Sequence, residues 1–381
     1  MKNLLIIFFL FFSPSLFAQE ETFTVSGKID GLESKTIHIF YKDKSGKLVR
    51  DSTVVKDGYF TYSRKIDEME MLSFYPGNES VMKRVDRGYF PAKSSQFQFI
   101  AYPGAKVKFA GKITDFVDAY PSGDPANNDL ARLNKSIYPL MNESVNMEVK
   151  IAKKIIADSL AVKEAQEKID KWDKEVDSIK KKFIGDHTSS YAAAWLLGDM
   201  MLRNQVNKEE AVNLYDKMDQ QHLKTNPFFI EVVKRIEGLR ATSIGNAAPE
   251  INSSHTYDKK PFNLTSLKGK YVVLDFWGTW CGPCISGMPK MKEYLDKYKD
   301  KMDIVGIAQE SDDGTNWRKF LDKNSDYQWH QVLSRNDEDY ILKYSVAGFP
   351  TKIIIDPQGK IVARFVGEDD DIYKKLDEIL K

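Results

Sequence analysis

The chain has 381 residues, 42% of them apolar and 29% charged, with a formal net charge of +1 and two cysteines. That length predicts two or three domains, and the apolar share is enough for real cores, which excludes a wholly disordered chain. A charge so near zero creates no global field for nucleic acid or an acidic membrane surface, so neither is an expected partner.

Residues 1–18 read as a signal peptide. Lys2 supplies a positive start, Leu4 to Phe12 is an apolar core, and Ser13-Pro14 breaks it before a cut after Ala18. The core is too short for a comfortable membrane span, and an uncleaved anchor is the alternative. No cysteine stands directly after it, which argues against lipid attachment. The mature chain is therefore expected in the periplasm or cell envelope, where disulfides persist.

Residues 19–118 predict a β-rich domain. FTVSGKI, TIHIFYK, GYFTYS, FQFIAY and KVKFAGKI alternate apolar and polar residues with period two. Asp57-Gly58 marks one turn, and Pro103-Gly104 is expected to join the last two strands as a hairpin. Such strands suit an antiparallel sandwich or small barrel. No metal cluster, nucleophile set or phosphate loop is legible there, so no role is assigned.

Residues 119–240 change to helical spacing, with Leu130, Leu133, Ile137 and Leu140 first. A long charged stretch from 143 to 184 follows, then helices over 191–202, 207–218 and 228–239. Asn207 and Glu210 have capping-box spacing. The heptads do not persist cleanly, so a helical spacer or clamp is expected before a dimerising coiled coil. Residues 241–252 are small and Gly/Pro-punctuated, a linker. From 253 to 381 strands alternate with helices, which predicts a covered sheet with parallel pairs: strands at 271–276, 302–308, 351–355 and 361–365, and helices at 281–298, 316–323 and 370–380.

Both cysteines lie in FWGTWCGPC, Phe276 to Cys284. A pair closing so small a loop removes little entropy from the unfolded chain, so it is there for chemistry. Cys281 follows an apolar strand and opens a helix, where free N–H groups and the dipole favour an anion. Such placement lowers a thiol from about 8.5 to roughly 3.5–7.5, which makes Cys281 the expected attacking thiolate. Cys284, one turn on, is placed to resolve a mixed disulfide. Gly282 and Pro283 keep the loop tight, and proline is tolerated in a first helical turn.

Zinc would need two more ligands, and the five histidines form no pair at ligand spacing, so neither metal nor cofactor is expected. Asp275 is a carboxylate inside the apolar run VVLDFW. Burial should raise its pKa and suit it to take the Cys284 proton; a hydrated, edge-facing acid is the plainer reading. Glu310, after the strand MDIVGIA, is a second candidate for that work, or simply a loop acid. In Gly348-Phe349-Pro350-Thr351 a trans bond is favoured on sequence alone; a cis bond would turn the Phe349 backbone outward to pair with an extended substrate.

The run Asp-Phe-Trp-x-x-Trp-Cys-Gly-Pro-Cys resembles thioredoxin. Asp275 falls on that family's buried Asp, Pro289 on its helix-kinking Pro and Pro350 on its cis-proline. SLKGKYVVLDFW, VAGFPTKIIIDPQGKIVARFVG and the exported context are more similar to the TlpA/ResA-type periplasmic branch, in which a Glu after the third strand lies near the cysteines, as Glu310 would. The resemblance covers about Ser243 to Lys381, while the front resembles the poorly characterised regions that precede TlpA-like modules. It implies a thioredoxin-like fold and an exported thiol–disulfide oxidoreductase acting on protein disulfides or dithiols. Trp280, Gly282, Pro283, Phe349 and Pro350 would form the substrate face.

Gly282-Pro283 departs from the charged pair of many reducing members of the branch and matches the cytoplasmic thioredoxin pair. Potentials in this fold run from about −270 mV to about −120 mV, a gap of roughly 7 kcal/mol that decides direction, and Gly-Pro leans towards the reducing end. A reductase there implies a membrane-bound electron donor. The branch points to cytochrome c maturation, which no residue here supports. Two alternatives stand beside this reading. One is a peroxiredoxin-type thiol peroxidase, against which Gly278-Thr279-Trp280-Cys281 lacks the expected proline. The other is a partner-binding scaffold with an accessory redox domain.

Overall fold

In the computed structural model, which describes residues 22–42, 48–86, 88–335 and 337–381, the front alternation becomes two four-stranded sheets. The signal-peptide expectation for 1–18 lies outside the described residues. The strands are β1 (Thr22–Asp30), β2 (Thr36–Lys42), β3 (Leu48–Val54), β4 (Tyr59–Lys65), β5 (Glu70–Pro76), β8 (Phe97–Ala101), β9 (Lys106–Ile113) and β10 (Val117–Ser122). A two-stranded ribbon, β6 (Arg84–Val85) and β7 (Gly88–Tyr89), lies outside the sheets. The orders are β10-β9-β1-β4 and β3-β2-β5-β8. Phe23, Val25 and Ile29 of β1 fall on one face, and with Phe60, Phe74, Phe97, Phe99 and Phe109 they fill the space between the sheets.

Two expectations for this region are corrected. β1 pairs parallel with β9, so that sheet is mixed rather than antiparallel. Pro103-Gly104 does not close a hairpin: β8 pairs with β5 in one sheet and β9 with β1 and β10 in the other. A Pro-Gly signal fixes that the chain turns, but not whether the joined strands pair or stack. Here the turn crosses the sandwich, and the free edge of β8 is met by a helix. Buried Asn127 of that helix accepts from the Ile100 N–H and donates to the Ile100 carbonyl, both at 2.9 Å.

The helix is α1 (Pro125–Ala152). Asp124 caps it and Pro125 occupies its first turn, where no N–H is missed. The charged stretch is two helices: after a break with Lys154 at positive φ, α2 (Ser159–Asp186) packs back on α1. α3 (Tyr191–Leu202) buries Ala192, Ala193, Leu196, Leu197 and Met200, and is the centre of the layer. α4 (Lys208–Lys217) starts on the complete Asn207–Glu210 capping box. α5 (Gln220–Leu223) and α6 (Pro227–Ala241) follow.

The C-terminal part is thioredoxin-like. A two-residue pairing of β11 (Asn252–Ser253) with β12 (Phe262–Asn263) precedes it. Its sheet runs β15 (His330–Ser334), β14 (Met302–Gln309), β13 (Tyr271–Trp277), β16 (Thr351–Ile355), β17 (Ile361–Val366). β13, β14 and β15 are parallel, while β16 pairs antiparallel with both β13 and β17. Strand alternation sends Val273 and Leu274 to opposite faces. Val273, with Ile304 and Ile354, meets α7 (Gly282–Lys297) and α10 (Asp371–Leu380) through Met291, Ile372 and Leu376. Leu274 and Phe276 meet Tyr340 and Ile341 of α9 (Tyr340–Lys343) and nearby Tyr344. α8 (Thr315–Lys323) adds Trp317 beside the cysteines. Among the described residues no helix is long and apolar enough to cross a membrane.

Candidate active site

β13 is buried from Val272 to Trp277 and ends against the segment that carries the cysteines. Cys281 is the N-cap of α7, in extended backbone, and its Sγ accepts the Cys284 N–H at 3.2 Å. Pro283 sits in the first turn. The sulfur therefore faces the unpaired N–H groups of a helix start, where negative charge is favoured. Cys281 and Cys284 are joined as a disulfide, with Cα atoms 5.3 Å apart. Cys281 is 5% exposed and Cys284 1%, so an incoming partner meets Cys281 first.

The approach to Cys281 is shaped by the turn before it. A Cβ on Gly278 would lie 2.5 Å from the Trp280 indole nitrogen and 2.7 Å from the Gln309 carbonyl. The missing side chain lets the Trp280 ring fold back and donate to Gln309 O at 2.9 Å. Trp280 nevertheless stays 56% exposed, and its ring meets Phe349 edge-on at 5.1 Å. The Phe349–Pro350 peptide is cis. The Thr351 hydroxyl donates to Gly348 O at 2.7 Å, and Gly367 N–H to Pro350 O at 2.9 Å, fixing the loop from both sides.

Glu310 lies beside the same turn. Its two oxygens accept from Thr279, the backbone N–H at 2.7 Å and the hydroxyl at 2.9 Å. Burial raises its pKa, the Thr279 bonds oppose that, and Asp312 adds to the rise. Asp275 is buried, with one carboxylate oxygen, Oδ1, lacking any hydrogen-bond partner. Burial pushes its carboxyl above the ordinary range; Lys352 opposes the shift and Glu368 reinforces it.

The structure thus brings Cys281, Cys284, Trp280, Gly282, Pro283, Phe349 and Pro350 to one end of the sheet, with Glu310 under the turn and Asp275 inside. Sequence reading missed Gly278, Lys352 and Glu368. Lys352 did carry a signal, a charge within the apolar strand TKIII. Glu368 carried none, since its place depends on the path of the chain after β17. Among the described residues no group of three or more His, Cys, Asp or Glu side chains could hold a metal.

A family model described as Redoxin matches residues 243–380. A domain of unknown function, DUF4369, matches 23–163. The thiol-disulfide oxidoreductase ResA of Bacillus cereus (strain ZK / E33L) is 38% identical over 125 residues, 33% of this chain and 70% of its own. ResA of Bacillus thuringiensis subsp. konkukian is 36% identical over 138 residues, 36% of this chain and 77% of its own. A crystal structure of the thioredoxin domain of a thiol-disulfide oxidoreductase from Bacteroides vulgatus shares 31% identity, covering 36% of this chain and 99% of that one, at a TM-score of 0.33.

Proposed function

The chain belongs to the family of ResA thiol-disulfide oxidoreductases, and on that premise we propose that it is an exported disulfide reductase of protein substrates. Cys281 attacks a substrate disulfide and forms a mixed disulfide, and one substrate sulfur leaves. Cys284 then gives up its proton to Asp275 and attacks Cys281. The second substrate sulfur leaves, and the Cys281–Cys284 bond closes. Two electrons pass from the dithiol to the substrate. The observation that carries this reading is Cys281 at the mouth of α7, its sulfur held by the Cys284 N–H.

Trp280, Phe349 and cis Pro350 line the substrate groove beside Gly282 and Pro283. Glu310, with both oxygens engaged by Thr279, holds the turn that presents Cys281. The reducing direction is supported by the Gly282-Pro283 pair, and a reductase outside the cytoplasm needs a membrane-bound electron donor. The leader-like residues 1–18 support export to the periplasm or cell envelope. Cytochrome c maturation is a candidate setting on family grounds.

The test is a Cys284→Ala variant expressed in place of the wild-type chain. It is expected to accumulate disulfide-linked complexes with partner proteins, all released by reductant and all absent from a Cys281→Ser, Cys284→Ala double variant. Their absence from cells in which the wild type is active would sink the reading. The reduction potential of the Cys281–Cys284 couple then fixes direction.

A further inference from the structure

Asp275 is one end of a row of three charges. In the antiparallel register of β13 and β16 it stands opposite Lys352, whose ammonium lies 3.6 Å from Asp275 Oδ1. That is an ion-pair distance, too long for a hydrogen bond. The same ammonium donates to Glu368 Oε2 at 2.6 Å. The Lys352 side chain is 2% exposed and that of Glu368 21%, so the row runs from the interior to solvent. Two carboxylates face one cation. Whichever acid has the ammonium as its hydrogen-bond partner leaves the other short of compensation, and here the short one is Asp275.

Glu368 reaches the row across the helix that carries the cysteines. A Cβ on Gly287 would lie 2.4 Å from its carboxyl carbon and from Oε1, closer than atoms can approach. Gly287 comes three residues after Cys284, on the same face of α7. A glycine within a helix costs about 1 kcal/mol relative to alanine. Its backbone is ordinary helix here, so what this glycine provides is space for the carboxylate beside the resolving thiol. The other groups around Glu368 are Tyr373 of α10, with its hydroxyl 3.4 Å from Oε1, and the outer pair of Lys290 on α7 with Asp370. On the far side of Asp275, β14 presents Gly306, which carries no charge.

We propose that Lys352 and Glu368 are positioning residues of the dithiol reaction: Glu368 holds the Lys352 ammonium partly away from Asp275, so that Asp275 can take the Cys284 proton. The proposal rests on Cys281 and Cys284 being the exchanging pair. In the resolving step the Cys284 S–H bond breaks and its proton goes to the Asp275 carboxylate. The thiolate attacks Cys281 Sγ, the Cys281–substrate S–S bond breaks, and the substrate thiolate takes a proton from water. Asp275 keeps the proton it took and returns it to Cys284 when the pair is next reduced, while Lys352 remains an ammonium between the two acids. The dithiol is oxidised and the substrate disulfide reduced.

The arrangement predicts pH shifts of opposite sign. Removing Glu368 turns the ammonium wholly towards Asp275 and favours its ionised form at lower pH. Removing Lys352 leaves two facing acids and disfavours ionisation. The experiment mixes the reduced full chain with oxidised glutathione across the neutral range and follows closure of the Cys281–Cys284 disulfide in single turnovers, in the wild type and in E368Q, G287A and K352M. The pH midpoint of the resolving step is expected to fall by about one unit in E368Q and G287A and to rise by about one unit in K352M. Midpoints that stay in place, or that move the same way in all three, overturn the proposal and leave the dithiol reading standing. A wild type that forms no mixed disulfide with glutathione at any pH removes that reading, and this proposal with it. Should K352M fail to fold, the fall in the other two decides alone, G287A being a change that a helix welcomes.

Discussion

Lys83 and Asp275 are both buried charges, and the molecule treats them in opposite ways. Lys83, between the sandwich and α1, donates to Asp115 O at 2.6 Å, Asn142 Oδ1 at 2.6 Å and Asn146 Oδ1 at 2.8 Å, so all three ammonium protons are engaged. Asp275 has a carboxylate oxygen with no hydrogen bond and a cation that is bonded to another acid. A buried charge with every partner in place ties layers together. One left partly unmet changes its protonation more readily, as proton transfer requires. The two charges differ not in burial but in the completeness of their bonding.

The sharpest way to break that contrast is at the sulfur. Cys281→Ser should abolish exchange with any disulfide, a loss of about 10³-fold or more, measured with oxidised glutathione under single turnover. Residual exchange through Cys284 would mean that the buried thiol is the nucleophile and that the polarity of the site is reversed. Asp275→Asn comes next. Loss of a proton acceptor should slow the resolving step about 10²-fold at neutral pH. The same change should stabilise the oxidised protein. Asp275 is held above its unfolded carboxyl range, so the folded state binds the extra proton. Its contribution is fully present below the unfolded pKa and is lost as pH rises through the folded one. At neutral pH the wild type therefore carries a penalty that asparagine removes. A higher Tm with slower exchange is the expected result; a lower Tm would make Asp275 a structural charge like Lys83.

The two regions also differ in what their sequences disclose. The candidate site was legible because it is local: strand, turn, Cys281 and Cys284 follow one another, and the helix start at Cys281 is set by the same few residues. Asp275 was legible as a charge inside an apolar strand. Lys352 sends the same kind of signal from TKIII, but a lysine there also reads as an edge-strand residue until the register with β13 is known. Glu368 and Gly287 meet only because the segment after β17 folds over α7, and no window of sequence holds both. In the front, alternation and helical spacing disclosed sheets and helices. The crossing at Pro103-Gly104 and the parallel β1–β9 pair depend on which layer each strand joins, which periodicity does not encode. The strands β3, β5, β10 and β15 and the short helices α5 and α9 were missed, because none carries a clear period of its own.

Lys83→Met sharpens the contrast from the other side. It keeps the alkyl stem but leaves the Asp115 carbonyl and two amide oxygens without their donor. The expected cost is about 2–3 kcal/mol, because Asp115 and Asn146 are near enough to the surface for water to replace part of what is lost. It should appear as earlier melting of the front region, while the exchange rate with glutathione and its pH midpoint stay as in the wild type. A shift in that midpoint would show that the front charge reaches the redox site.

The smallest expected effect concerns the seam between the regions. α6 packs on α9, and a Cβ on Gly238 would lie 2.6 Å from Leu342 O and 3.0 Å from Lys343 O, both backbone atoms of the redox domain. Gly238→Ala therefore has to move one region off the other, while alanine's better helix propensity returns about 1 kcal/mol. Little net change in melting is expected, and faster protease cleavage within 241–252 is the readout of the loosened seam. The site should feel it through Asn204, whose side chain lies 3.7 Å from where a Cβ on Gly348 would stand, at the loop leading into cis Pro350. Glutathione needs only Cys281 and should react at the wild-type rate. A folded protein disulfide that docks against the Gly348–Pro350 loop should change its rate severalfold. Equal rates for both substrates, with cleavage accelerated, would reduce the front region to a spacer.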